Sequence, residues 1–346
     1  MDKVKLALKR FSKHPLFGFV VFGLILMIIP IFNNVLPISF VDSIAKTLIY
    51  FIVGLGFALL IGYGGLASLG TSSFIAIGTF ALYSLMDVFN LPFALTFLIA
   101  VMIALIVGTL FGVVSLRIEG MYLAIVTLGL SEIMIELFKN FDKFTGGVSG
   151  TTFSAFKLFG HTLTTNQTFI ILIFAVVIAM ILTYNLINSP LGRALLAIKN
   201  SDSAAQAMGI SVIKFRLLAF MVSTVYAVIG GLFYMAYVRF SMGSTWGLAI
   251  SLNILAAVVV GGSKSIWGVL TGTFVIFGLD LMVFKSIPFL SQGRYANFSF
   301  VISGVLIILV IMYYPSGLIG LFTKLKYKIK GKLQKVKEAR RIETHD

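Results

Sequence analysis

Few groups in this sequence could do chemistry, and most of them are scattered. Cysteine is absent, which removes disulfides, thiol nucleophiles and thiolate metal sites. The three histidines, His14, His161 and His345, fall in a basic tail, a polar loop and the C-terminus, so they predict neither a metal cluster nor a catalytic triad. Gly261-Gly262-Ser263-Lys264-Ser265 has the residue types of a phosphate loop. It lacks the G-x-x-x-x-G-K-[ST] spacing and opens no soluble α/β unit. No enzyme and no bound cofactor is expected, and any ATP used must be hydrolysed by another chain.

Carboxylates inside apolar runs are the stronger candidates, because they are costly to place in lipid. Glu132 and Glu136 are four residues apart, hence on one helix face, and Asp280 lies in a later run. Glu132 is expected to be the most deeply buried. It could cap a hydrogen-bond network between helices, line a polar path, or meet a substrate ammonium. Glu136, beside Lys139, reads as half of a surface ion pair. The stretch from Gly62 to Ser73 is polar and glycine-rich yet closely flanked by apolar runs. Non-helical backbone at membrane depth survives only where protein or water satisfies it, so this piece should face an interior or a cavity unless it is an ordinary short loop. Ser68, Gly70, Thr127 and Glu132 are the candidates for a translocation path.

The polar loop from Ser189 to Ile210 carries helix signals. Pro190 can start one helix, Asn200 or Ser201 can cap a second, and Gly209 can end it in a left-handed C′ conformation. The second is short and Ala-rich, with Met208 and Ile210 as apolar knobs. So small a helix is marginal alone; it needs a groove on a partner or a seat on its own protein.

The elements that must position these residues follow from composition. Of 346 residues, 59% are apolar and 11% charged, against about 25% charged in a soluble domain. Apolar runs fall at about 16–32, 44–62, 71–86, 93–115, 121–138, 167–187, 216–238, 248–262, 266–284 and 299–314. Gly261 to Lys264 interrupts the eighth and ninth, which read as one long element or two short ones. The first ends in Pro30-Ile31-Phe32-Asn33-Asn34 without a cleavage pattern, so it is kept as a span rather than a signal peptide. The expected fold is an all-α, polytopic membrane bundle of about ten transmembrane helices, with eight or nine also open. Its domains would be a basic N-tail (1–15), a single transmembrane domain (16–320) containing the loop 188–215, and a basic C-tail (321–346).

The net charge of +15 resides mainly in those tails, which argues for anionic lipid and membrane orientation rather than nucleic acid. Ten spans with both termini cytoplasmic divide the 27 basic residues into twenty inside and seven outside, as the positive-inside tendency requires. Gly108-x-x-x-Gly112 and Gly268-x-x-x-Gly272 have the spacing that lets helix backbones approach in lipid.

In the polar loop, Gly192-Arg193-Ala194-Leu195 and the run Ser203-Ala204-Ala205 with Gly209 resemble the permease subunit of ATP-binding-cassette importers for branched-chain amino acids, the LivM type. That family's ATPase-contact motif has the general form Glu-Ala-Ala, three residues, Gly, and Ser203 stands here where the acidic residue is often found. Further similar motifs are Gly65-x-x-Ser68-Leu69-Gly70, the run Gly120 to Leu128, Thr145-Gly146-Gly147-x-x-Gly150, Gly261-Gly262-x-x-Ser265-Ile266-Trp267-Gly268, and Pro315-Ser316-Gly317-Leu318-Ile319-Gly320. The resemblance covers residues of about 40 to 320. It implies a multi-pass chain in a bacterial or archaeal cell membrane, and a LivH-like second permease subunit completing the path. Two ATP-binding subunits would contact Gly192, Arg193, Ser203, Ala204, Ala205, Met208 and Gly209. An extracytoplasmic substrate-binding protein would deliver the small-molecule substrate to outer segments at 139–166 and 285–298. Permeases for urea, amides, nucleosides or sugars share parts of the pattern. A self-powered, ion-coupled transporter or a channel is the remaining alternative.

Overall fold

A computed structural model describes residues 15–31, 37–115, 121–158, 160–278, 304–305, 308, 312–313 and 317–320. The two basic tails, Asp280, the segment 285–298 and most of the run 299–314 lie outside the described residues.

The helices follow the apolar runs: α1 (Pro15–Leu26), the short α2 (Ile28–Ile31), α3 (Ile38–Ala58), α4 (Thr71–Tyr83), α5 (Phe93–Ser115) and α6 (Met121–Asn140). A one-turn α7 (Asp142–Thr145) precedes α8 (Thr165–Asn188), α9 (Pro190–Asn200), α10 (Asp202–Ala207), α11 (Val212–Val238), α12 (Leu248–Gly261) and α13 (Ile266–Thr273). Helices α3, α4 and α13 each run on into a π turn, at Leu59–Tyr63, Ser84–Val88 and Phe274–Gly278. Among the described residues five helices are long and apolar enough to cross a membrane: Ile38–Tyr63, Thr71–Val88, Phe93–Val114, Thr165–Asn188 and Val212–Val238. Leu16–Ile31, Leu248–Gly261 and Ile266–Gly278 are shorter apolar helices. The interrupted run at 248–278 is thus two helices, turned at Gly262 to Ser265.

Helix α11 is the centre of the bundle, packed against α3, α4 and α5. Helix α3 beyond Lys46, and helix α4, are predominantly apolar and buried on nearly every side, as such helices must be. The peripheral α5 instead presents Leu95, Leu98, Met102, Ile106 and Leu110 outward, a stripe at helical spacing that suits lipid. Small residues set the closest approaches. A Cβ on Gly78 would fall 2.0 Å from the Val228 carbonyl oxygen, and one on Gly231 2.0 Å from that of Ile75. Both predicted small-residue pairs lie in such contacts: Gly108 and Gly112 face Thr224 and Leu217 of α11, while Gly272 faces Ala257 and Gly261 of α12.

At the end of the bundle opposite α9 and α10, residues 141–158 and 160–164 fold into a fastened cover. Strands β1 (Thr151–Thr152) and β4 (Phe240–Ser241) pair antiparallel, as do β2 (Lys157–Leu158) and β3 (His161–Thr162). The Asp87 carboxylate accepts from the Ser154 backbone N–H at 2.9 Å and from its hydroxyl at 2.7 Å. Trp246, fully buried, donates its indole N–H to Ser241 Oγ at 2.9 Å.

Candidate functional site

The predicted loop helices exist, and each signal acts where the sequence places it. Pro190 occupies the first turn of α9, behind Ser189, whose hydroxyl accepts from Leu191 N. Ser201 rather than Asn200 caps α10, accepting from Ala204 N at 3.3 Å. Gly209 takes φ +79°, which lets its N–H reach Gln206 O and the Ile210 N–H reach Ala205 O. These two bonds form a Schellman closure, and the left-handed residue it requires is cheap only for glycine. Asp202 at the start of α10 accepts from Arg216 Nη2 of α11 through both carboxylate oxygens, at 3.0 and 2.8 Å. Ala205 packs with Ile198 and Val212 in a small apolar cluster that Ile210 joins.

The seven residues assigned to an ATPase contact therefore divide. Ser203, Ala204, Met208 and Gly209 are exposed, with Met208 at 82%. Ala205 is buried, and a side chain on Gly192 would strike the Ile187 backbone, so these two hold α10 and α9 in place rather than offering surface. Arg193 is exposed and donates to Asn188 O. Ile210, read as a knob, is instead half-buried against α10.

The glycine-rich stretch after α3 enters the protein interior. Gly62, Ser68, Gly70 and residues 71–73 are buried, and α4 begins well inside the bundle. Its polar groups are matched across distant elements. Leu69 N donates to Thr127 Oγ1 of α6 at 2.9 Å, Gly70 N to Ser68 Oγ at 3.3 Å, and Ser72 N to Ser251 Oγ of α12 at 3.0 Å. The Ser251 hydroxyl in turn donates to Ser72 Oγ at 2.8 Å. Ser68, Gly70 and Thr127 are thus brought together as a lock on the break. Sequence reasoning missed Ser251, whose only signal was a hydroxyl inside an apolar run. Thr127→Val leaves the Leu69 N–H without its acceptor, and should lower stability by about 1–3 kcal/mol. Thermal unfolding in detergent checks this, with Thr127→Ser expected to retain the wild-type midpoint.

Glu132 departs from expectation. It is exposed and makes no hydrogen bond among the described residues, so it caps no network between the described helices. The inward face of α6 is occupied by Leu123, Thr127, Ser131 and Ile135 at four-residue spacing, all buried. Glu132 falls on the outward face with Tyr122, Ile125, Gly129, Ile133 and Glu136. Glu136 pairs with Lys139 at 2.6 Å, the expected surface ion pair.

The break and the loop helices approach each other at Lys199, in the last turn of α9. Its ammonium donates to Ile61 O at 2.9 Å and Gly62 O at 2.8 Å, while Tyr63 donates its hydroxyl to Lys264 O. Partial burial, and then the charge of Lys264, hold the Lys199 ammonium below the usual lysine pKa. Among the described residues no group of histidines and carboxylates could hold a metal ion.

A bundle of apolar helices, one interrupted inside the core, with a capped helix pair projecting from one end, defines a multi-pass membrane transport subunit. The chain belongs to the family described as "Branched-chain amino acid transport system / permease component", whose profile matches residues 39–311. It is 30% identical over 325 residues to the high-affinity branched-chain amino acid transport system permease protein LivM of Escherichia coli (strain K12), covering 86% of this chain and 74% of that one. A probable branched-chain amino acid transport permease protein LivH of Methanocaldococcus jannaschii is 28% identical over 59% of this chain and 66% of its own length. The ribose import permease protein RbsC of Haemophilus influenzae is 26% identical over 74% of this chain and 80% of its own. No solved structure matches.

Proposed function

We propose that the chain is the membrane-spanning permease of a binding-protein-dependent ABC importer for branched-chain amino acids. The observation that carries this reading is α10, a six-residue helix that buries Ala205 and exposes Ala204 and Met208. So short a helix is not stable by itself, yet here a serine cap, a Schellman closure and the Asp202–Arg216 pair fix it on the ends of α9 and α11 with one side exposed. That rigidity suits a knob for an ATPase groove.

In this reading about ten helices cross the membrane, with both termini and α9–α10 on the cytoplasmic side. A LivH-like subunit sits beside this chain, two ATP-binding subunits grip α10 of each permease, and an extracytoplasmic binding protein docks on the cover formed by residues 141–158 and 160–164. ATP is bound and hydrolysed by the partner subunits. The substrate passes between the two permeases, and Glu132, on the outward face of α6, is available to that passage. Ser68, Gly70 and Thr127 line it only when the break at 64–70 moves. Likeness to a ribose import permease supports a second reading, the same machine with a sugar as cargo.

Reconstitution tests both. Proteoliposomes containing this chain, its companion permease and the ATPases should take up leucine, isoleucine or valine only with ATP and the loaded binding protein present. Ribose uptake instead would select the second reading. Uptake by this chain alone, driven by a pH gradient, would overturn both in favour of an ion-coupled carrier, and fast ATP-independent flux in favour of a channel.

A further inference from the structure

The interrupted span stops at a π turn, and the last carbonyls of a helix have no helical donor ahead of them. Those of Leu59 and Leu60 accept from the backbone of Gly64 and Leu66. Those of Ile61 and Gly62 both accept from Lys199 Nζ, a side chain delivered from α9 almost 140 residues later. The lysine stem also lies over Gly65, held at φ +70°, where a Cβ would come within 3.3 Å of Lys199 Cγ. Lys199 is therefore the end cap of α3 and the floor under the first residues of the break.

On its other side Lys199 is continuous with α10. The neighbouring Ile198 packs on Ala205 and Val212, Ser201 caps α10, and Asp202 is held by Arg216. The last turn of α9 and all of α10 thus form one rigid piece. The other contacts at this end of the break, Tyr63 with Lys264 and Gly62 against Ser263, tie it to the turn between α12 and α13 instead. Beyond the break, Thr127 and Ser251 fix its far end.

We propose that Lys199 is the positioning residue that carries a displacement of α10 to the break at 64–70, converting movement at the ATPase contact into movement of the interrupted span. This rests on the reading of α10 as that contact. A neutral side chain at 199 would leave the ATPases docked but disconnected from the break.

This chain has no cysteine, so when it is assembled and reconstituted with companion subunits made cysteine-free, a single introduced thiol gives a clean test. Lys199→Cys should retain the bound ATPases and their basal hydrolysis, while substrate moved per ATP falls about tenfold, within the roughly 5–150-fold range of coupling free energies. The thiolate introduced by Lys199→Cys attacks 2-aminoethyl methanethiosulfonate, breaking its S–SO2 bond and expelling methanesulfinate, so that an aminoethylthio group is attached through a disulfide and an ammonium returns to the site. This treatment should restore coupling, and methyl methanethiosulfonate, which adds no charge, should not. Lys199→Arg should transport near the wild-type level. Wild-type transport per ATP by Lys199→Cys, or equal rescue by both reagents, would overturn the proposal. So would failure of the variant to accumulate, which would make Lys199 a folding element. Met208→Asp separates this from the underlying reading: if it leaves uptake intact, α10 is not the ATPase contact, whereas if it abolishes uptake and Lys199→Cys does not impair coupling, only the linkage fails.

Discussion

Met208→Asp should abolish uptake while leaving the permease folded. The side chain is 82% exposed on the free chain and sits at the C-terminal end of α10, where it supports nothing else. Burying a methionine in a partner groove contributes about 1.5–3 kcal/mol, and each 1.4 kcal/mol is about tenfold in affinity. An unpaired carboxylate in the same groove adds a desolvation cost to that loss. The expected result is loss of co-purifying ATPases and of uptake, with an unchanged thermal midpoint for the permease. Ala205→Asp would not discriminate. It forces a charge between Ile198 and Val212, so α10 itself would come apart and contact could not be told from folding.

The second large effect is on the fold. Gly231→Leu should eliminate monodisperse protein. The missing Cβ at this position lets α11 lie against α4 so closely that the Gly231 carbonyl accepts from Thr79 Oγ1 at 3.2 Å. A Cβ there would stand 2.0 Å from Ile75 O and 2.9 Å from Thr79 N, backbone atoms that can yield only if the helices part. Overpacking of this kind costs about 1–3 kcal/mol even for modest additions, and in lipid close packing is much of what holds helices together. Gly231→Ala should lower the thermal midpoint measurably. Gly129→Leu, on the outward face of α6 with nothing within 4 Å of its Cβ, should leave the midpoint of the isolated chain unchanged. Size-exclusion profiles and thermal unfolding in detergent distinguish the three.

Much of this architecture was legible because its signals are local. Apolar runs mark the helices α3 to α6, α8 and α11, and Pro190, Ser201 and Gly209 mark the loop helices through backbone rules that act within a few residues. Gly108, Gly112, Gly268 and Gly272 announced close contacts by spacing, although not the helices they would meet. What escaped is long-range pairing. Ser251 meets Ser72 across 179 positions, and Lys199, which reads in sequence as one more basic residue on the inner side, meets Ile61 across 138. Glu132 was misplaced for a different reason. In lipid an outward apolar face and an inward one have the same composition, so periodicity cannot assign a carboxylate to either. Thr127 and Ser131, which took the inward face, were the polar groups that could have decided it.

Synthesis of this chain ahead of its companions would leave Glu132 stranded. It is the twelfth residue of the twenty-residue α6, far from either end, and it points away from its own protein. Acyl chains solvate a carboxylate poorly, so if α6 crosses the membrane as proposed, an inserted monomer would be an assembly intermediate whose surface a neighbour or a water-lined seam finishes. Matched production of the subunits would then be a requirement written into a single helix face.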